Sequence, residues 1–342
     1  EADIAALRAV LPRDVKMIAV GGAQPGDLAS LIHAGAAGAG IGSDLYRPGD
    51  TADQVRLRAR AWRSAWAALR TDPSVELCWN PLAQIGEGPV RRGPVVNWVD
   101  PVRRRLFAWN GQGGRELAIS DAVYSLAALP DGRLAGALED GLALIDDQTG
   151  EVRRCASVVL AEGCRFNDMV VDAEGGLWIG AMHKGLLAGR GSLYHAPGID
   201  GPLRLVAEGL GVPNGMAFDR DGTTLFMIDT LSRHLLAFPV NGQTLGPPVI
   251  VTDFLDLPGK PDGMDMAPGG SLWVAMWGSG RVLRVARNGA VEQEVRLPVM
   301  HASSVCAGVE GDLWVTTSRA RQTEEQLART PGAGALFRIR FR

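Results

Sequence analysis

The chain has 342 residues, a formal net charge of −3 at pH 7 and 46% hydrophobic residues, enough apolar material for a large core and no basic excess of the kind that tracks nucleic acid. No apolar run approaches the roughly 18 residues that span a bilayer, and the N-terminus lacks the basic and apolar regions of a secretion signal. A cytoplasmic protein with neither a nucleic-acid nor a membrane partner is therefore expected. Cys78, Cys155, Cys164 and Cys306 include no C-x-x-C pair and read as buried thiols rather than a zinc knuckle or a disulfide framework.

The first 72 residues open on Glu1 rather than Met and predict a β-α-β-α order. A strand KMIAV (16–20) leads through Gly21-Gly22 to a helical stretch over 25–34. A short strand GAGIG then precedes Ser43, and a long helix runs from about Thr51 to Leu69. Thr51 is its expected cap, and Val55, Leu57, Ala61, Trp62, Ala65, Trp66 and Leu69 are its expected apolar face. Residues 70–74 read as a linker. Two βα units alone leave strand edges unpaired.

From residue 74 onward a different period takes over. Six short strands recur: VNWV from Val96, RLAG from Arg133, LWIG from Leu177, LFMI from Leu225, LWVA from Leu272 and LWVT from Leu313. Their starts are 37, 44, 48, 47 and 41 residues apart. That is the period of four-stranded propeller blades. Within the third copy NDMVV, a DAEGG turn, LWIGAM, GSLYHA and LRLVAEG give four strands of alternating polarity, and the other copies parse alike. The sixth copy supplies three strands before the chain ends, so SVELCWN (74–80) is expected to complete it and remove the open edges. The predicted architecture is an all-β six-bladed propeller over 74–342, preceded by the β-α-β-α segment over 1–72.

Glu87, Asn167, Asn214 and Asp262 stand nine to eleven residues ahead of their apolar strands, at one phase of the repeat. In a propeller the first strand of each blade lines the axis, so these four side chains are expected to converge at one mouth. Turn chemistry alone accounts for Asn-Gly or Asp-Gly singly, but not for a shared phase. Arg165 lies two residues before Asn167 and on an extended segment points to the same side. Donors and acceptors from this pair suit the hydroxyls of a sugar; a solvated arginine at a blade mouth is the plainer alternative. His183, His195 and His234 read as structural, while His301 and Ser303 are placed within reach of the mouth.

Two resemblances follow from these motifs. VGGAQPGDL (20–28) and GAGIGSDLYRPG (38–49) make residues 1–70 resemble the C-terminal part of a 2-dehydro-3-deoxy-6-phosphogalactonate aldolase. That likeness implies that the segment is a truncated remnant of a (β/α)8 barrel, which its two βα units are too few to close, with backbone phosphate binding at Gly21, Gly22, Gly42 and Ser43; turn geometry alone would also call for these glycines. The catalytic residues of such an aldolase would lie outside this chain, so no aldolase activity is expected. IGEGPV (85–90), RFNDMVVDAEGGLWIGAM (165–182), VPNGMAF (212–218) and KPDGMDM (260–266) make residues 74–342 resemble the senescence-marker-protein, gluconolactonase and luciferin-regenerating-enzyme family. The resemblance implies one divalent cation held by Glu87, Asn214 and Asp262, with Arg165 and Asn167 binding substrate and Asp168 beside them. The RRGP stretch (91–94) departs from the family pattern and puts the shape of the first blade's mouth in question.

Two carboxylates and an amide oxygen form an all-oxygen set suited to calcium, magnesium or manganese, with zinc also open. The expected activity is metal-assisted opening of a sugar (aldono) lactone to its aldonic acid, a carboxylic-ester hydrolysis with Asp262, then Asp168, as the candidate proton acceptor. If an aldolase and a lactonase share one chain, a galactonate-type route points to galactonolactone or another aldonolactone as the small-molecule partner. Two other readings stand beside this one: a metal-dependent phosphotriesterase or arylesterase of the same propeller type, and a non-catalytic ligand-binding propeller. Oligomeric state has no signature in the sequence.

Overall fold

The computed structural model describes residues 2–12, 15–69, 73–308 and 311–341, in two compact units that divide after Pro73. Most of the expected linker, residues 70–72, lies outside the described residues, as does Arg342. Among the described residues no helix is long and apolar enough to cross a membrane.

The first unit holds a helix Ala2–Val10, absent from the sequence expectation, then strand Ile18–Val20, a 3-10 turn Pro25–Asp27 running into helix Leu28–His33, strand Gly38–Gly40 and helix Ala52–Leu69. The two strands pair in parallel and only with each other. Gly21 and Gly22 take positive φ of 94° and 68°, which a side chain would resist. The long helix starts where expected: Thr51 Oγ1 accepts the N–H of Gln54, whose side-chain oxygen accepts the N–H of Thr51, a reciprocal cap. Trp62 is buried and its indole N–H donates to Asp44 at 2.7 Å. Leu57, expected on the apolar face, is 69% exposed.

The second unit is a ring of six antiparallel sheets. Blade 1 runs Glu87–Arg92, Val95–Asp100, Arg105–Trp109, Gly114–Ala118; blade 2, Ser125–Ala128, Leu134–Ala137, Gly141–Ile145, Val152–Ser157; blade 3, Cys164–Val171, Leu177–His183, Gly191–Ala196, Arg204–Leu210. Blade 4 runs Pro213–Phe218, Thr224–Asp229, His234–Asn241, Val249–Asp253, with Thr244–Leu245 added at the end of its third strand. Blade 5 runs Lys260–Met266, Leu272–Trp277, Arg281–Val285, Val291–Arg296. Blade 6 takes His301–Ala307, Leu313–Ser318 and Leu336–Arg340 from the end of the chain and its fourth strand, Ser74–Trp79, from the start. Helix Glu324–Arg329, capped by Thr323, interrupts blade 6 and has no counterpart in the sequence expectation. The thiols are all free; Cys306 is buried, and the other three are only half-buried, because they sit on outer strands or at the blade rim.

The apolar residues form six clusters, each shared by two neighbouring blades. The core is thus a set of wedges: the second strands of blades 3 to 6 each bury a Leu-Trp or Leu-Phe pair, one side chain into each flanking wedge, at about 1.5–3 kcal/mol per large side chain. Where the ring closes, Trp79 packs edge-on against Trp98 and Phe107 of blade 1, with centroids 5.6 and 5.7 Å apart. Ser303 Oγ donates to the carbonyl of Gly86, and Ser318 Oγ to that of Gln84 at 2.6 Å.

Five of the six inner strands carry a bulge at the same place. The ladder slips by one residue between Glu87 and Val90, Phe166 and Met169, Asn214 and Met216, Pro261 and Met264, and Ala302 and Ser304. Blade 2 alone pairs its inner strand without a slip. A bulge bends the strand and re-aims the side chain it carries, which is how Glu87, Asn167, Asn214 and Asp262 come to share a phase. The glycines beside them serve a different purpose from the expected turns. A Cβ on Gly215 would overlap the backbone of blade 5, including the Asp262 carbonyl at 2.7 Å, and one on Gly263 would meet Ser304 Cα at 2.6 Å. Backbone atoms cannot step aside as a side chain can. Gly215→Ala is expected to cost about 1–3 kcal/mol through overpacking, read as a lower urea midpoint with unchanged slope.

Candidate functional site

The bulges open onto a cavity of about 410 Å3 to which all six blades contribute. Glu87, Arg165, Asn167, Asn214 and Asp262 all line it. Asn214 Nδ2 donates to Asp262 Oδ1 and to Thr230 Oγ1 at 3.2 Å, while Thr230 Oγ1 donates to the Pro261 carbonyl at 2.8 Å. Arg165 Nη1 donates to Asn167 Oδ1 at 3.0 Å and to the Phe166 carbonyl at 2.6 Å, and Asn167 Nδ2 donates to the Pro213 carbonyl at 3.1 Å. The guanidinium carbon of Arg165 lies 4.1 Å from the centroid of the Tyr124 ring, a cation–π contact that holds the cation over one wall.

Asp168 is not among the residues lining the cavity. Its Oδ1 accepts the Ser125 hydroxyl at 2.6 Å and the Met169 N–H at 2.9 Å. Ser303 is likewise turned away, bonded to the Gly86 carbonyl and to Thr316 Oγ1. His301 lies behind the wall, its ring stacked on Trp277 with centroids 4.2 Å apart. His195 is buried against Trp178 at 4.4 Å, and His183 accepts the Gly185 N–H at 3.0 Å. The second half of the site went unnoticed in the sequence: Tyr124, Thr230, Lys260, Trp277 and Arg321 also line the cavity. Lys260 stands two residues before Asp262 on the same strand, the i, i+2 relation that singled out Arg165, so the sequence did contain a signal for it.

Burial, then the neighbouring Asp262 and Asp168, pushes the Glu87 carboxyl well above its ordinary value. Burial, with Asp168 adding to it, raises Asp262 to about 8. Burial also raises Asp168, against the pull of its Ser125 hydrogen bond. Burial lowers Arg165. Acids crowded out of water in this way hold protons or gather a cation. Glu87 and Asp262 offer carboxylate oxygens, and Asn214 an amide whose oxygen and nitrogen exchange by a half-turn, so the donor set suits a hard cation. Among the described residues no group of three or more His, Cys, Asp or Glu is arranged to hold a metal; this set contains two of those types and relies on the amide.

A six-bladed propeller with a polar, acid-bearing pocket on its axis defines a class of small-molecule sites built from inner-strand bulges. Residues 85–319 match the model of the SMP-30/Gluconolactonase/LRE-like region, and the chain belongs to that family. It is similar to 6-deoxy-6-sulfogluconolactonase of Pseudomonas putida, 30% identical over 267 residues, covering 75% of this chain and 91% of that one. It is also similar to L-arabinolactonase of Azospirillum brasilense, 30% identical over 264 residues, covering 74% and 87%. The solved structure of the calcium-binding protein regucalcin from Agrobacterium tumefaciens superposes with a TM-score of 0.72 at 25% identity, over 79% of this chain and 96% of that one.

The raised carboxyls set a pH dependence. A carboxyl whose pKa is higher in the fold than in the unfolded chain favours folding while protonated, and that contribution is lost as pH rises through the folded value. For Asp262 the window runs from 3.8 to about 8. In cation-free buffer the stability of Asp262→Asn relative to the unsubstituted protein is therefore expected to climb between pH 5 and pH 8, by on the order of a few kcal/mol. Paired urea titrations at the two pH values measure it; a difference that stays flat or falls contradicts the protonation of Asp262.

Proposed function

We propose that this chain is a divalent-cation-dependent lactonase that opens sugar lactones to aldonic acids. The observation that carries the proposal is the meeting of Glu87, Asn214 and Asp262 with Arg165 and Asn167 on one cavity. Relatives whose names are sulfogluconolactonase and arabinolactonase support the same reading.

Glu87, Asn214 and Asp262 are the residues that would hold the cation, calcium, magnesium, manganese or zinc; the likeness to a calcium-binding regucalcin favours calcium. A divalent cation bound there supplies Lewis acidity toward a carbonyl oxygen and makes water a better acid. Arg165 and Asn167, already bonded to each other and braced by Tyr124, present donors and an acceptor to the substrate hydroxyls, fixing the ring before reaction. Ile85, Pro101, Val102, Met182 and Leu231 make much of the remaining wall apolar, which keeps bulk water from the ring. In the reaction the oxygen of water bonds to the carbonyl carbon, the ring C–O bond breaks, and the ring oxygen leaves as a hydroxyl after gaining a proton. Asp262 lines the cavity and is the first candidate to accept the water proton at a carboxylate oxygen. Asp168, tied to Ser125 and outside the lining, is the second.

The reading of residues 1–70 as a piece of an aldolase-type barrel rests on its two glycine motifs. We propose no activity for it, and the phosphate-binding role of Gly21, Gly22, Gly42 and Ser43 stands only on the same motifs.

A pH-stat assay on a galactono-, glucono-, xylono- and arabinonolactone panel tests the lactonase reading. Chelator-treated protein is expected to be inactive and to regain turnover with one of the four cations. Asp262→Ala should lose about 100-fold or more of kcat, and Arg165→Lys about tenfold in kcat/KM through lost planar donors. Turnover that survives chelation and Asp262→Ala would sink the proposal; hydrolysis of phosphotriesters or aryl esters without lactones would favour the esterase alternative, and cation binding without any hydrolysis the ligand-binding one.

A further inference from the structure

The cavity holds more positive charge than a neutral lactone can use. Its lining carries two acids, Glu87 and Asp262, and three bases, Arg165, Lys260 and Arg321. The two acids lie at the centre of the site, where Asp262 accepts from Asn214. Arg165 has partners in Asn167, the Phe166 carbonyl and the Tyr124 ring. Lys260 and Arg321 have none: among the described residues neither takes part in an ion pair, whereas on the same blade as Lys260 Arg281 is paired with Glu294 at 3.0 Å and Arg284 with Glu292 at 3.3 Å.

Lys260 and Arg321 also share a wall. Lys260 opens the inner strand of blade 5 and stands in register opposite Trp277. Trp277 stacks on His301, and Arg321 is close enough to His301 to help depress its pKa after burial has done so. Lys260, Arg321 and the Trp277 indole thus line one cavity. Arg321 is held there at φ 59°, a left-handed conformation that a non-glycine residue adopts at a cost. The segment bearing it is tied down by the N–H groups of Arg319 and Ala320 to the Gln84 carbonyl at 3.1 and 2.9 Å. Blade 3, with Arg165 and Asn167, faces blade 6 across the axis of the ring.

We propose that the lactone this site takes carries a second, anionic group at the far end of its carbon chain, held by Lys260 and Arg321 beside the face of Trp277. The class comprises lactones bearing a carboxylate, a sulfonate or a phosphate, which share negative oxygens able to accept from an ammonium and a guanidinium. The inference rests on the lactonase reading for the word lactone but not for the anion clamp itself, and two readouts separate them.

The first readout is binding. Calorimetry on the intact chain compares gluconate with glucarate, 6-deoxy-6-sulfogluconate and 6-phosphogluconate, at two salt concentrations. The acids with the extra anionic group are expected to bind about tenfold or more tightly than gluconate, with the advantage shrinking at high salt, and the ranking among the three identifies the group. Lys260→Ala/Arg321→Ala, two exposed positions, should remove that advantage, weakening these acids by a larger factor than gluconate, while Lys260→Arg should keep most of it. Equal affinity for gluconate and the more highly charged acids, or an advantage that survives the double substitution, overturns the clamp. The second readout is turnover of glucono-1,5-lactone against its 6-phospho form: the double variant should lose kcat/KM for the charged lactone through KM, by a larger factor than for the neutral one, and equal losses for the two overturn the clamp. No turnover of any lactone with the binding advantage of the charged acids intact would defeat the lactonase reading while upholding the clamp.

Discussion

The site depends on one backbone irregularity used five times. An inner strand with an unbroken ladder would alternate its side chains between the two wedges flanking its sheet. The extra residue at the bulge breaks that alternation at the strand's entry and, in blades 1, 3, 4 and 5, aims a polar side chain into the cavity. For neighbouring strands to come near enough that Asn214 touches Asp262, the residue after each must have no Cβ, because Gly215 lies against blade 5 and Gly263 against Ser304. The dipeptides Asn-Gly and Asp-Gly are thus a packing requirement: the first residue supplies a polar side chain to the cavity and the second allows the approach.

That approach has an electrostatic consequence. Glu87, Asp262 and Asp168 are brought together out of water, and each is pushed toward its protonated form. Buried acids of this kind weaken a fold, and their persistence needs a scaffold whose stability lies elsewhere. Here it lies in six wedges of aliphatic and aromatic side chains between blades and in the Trp79 contact that shuts the ring. Perturbed acids in a cleft are also a mark of function rather than of folding.

Much of this was legible in the sequence. Strand period and blade count follow from alternating polarity punctuated by Asp-Gly turns, and the polar phase at Glu87, Asn167, Asn214 and Asp262 follows from the repeat. The glycines after Asn214 and Asp262 were open to a turn reading, since that dipeptide chemistry is identical in both uses; only their neighbours in space tell them apart. Tyr124, Trp277 and Arg321 were illegible for another reason. They come from just before an inner strand, the end of a second strand and a loop, positions that the repeat does not hold constant. Helix Glu324–Arg329 lies in the same loop region. In the first unit, Leu57 fits the helical period yet stays exposed, because periodicity names a face without saying what covers it.

The six repeats are alike where they build the ring and unlike where they meet. Acids come from blades 1 and 5 with the amide of Asn214 between them on blade 4; the Arg165–Asn167 pair stands on blade 3, and blade 2, which lacks the bulge, contributes the Tyr124 ring that braces it. The free cations stand on blades 5 and 6. A pseudo-symmetric scaffold by itself offers a ligand six equivalent orientations. Breaking the symmetry at the axis leaves one, with the Arg165–Asn167 pair on one side, the acids at the centre and positive charge on the other. The inner-strand residues are fixed by the bulges, whereas Tyr124, Lys260, Trp277 and Arg321 belong to none of the wedges and can differ without disturbing the core.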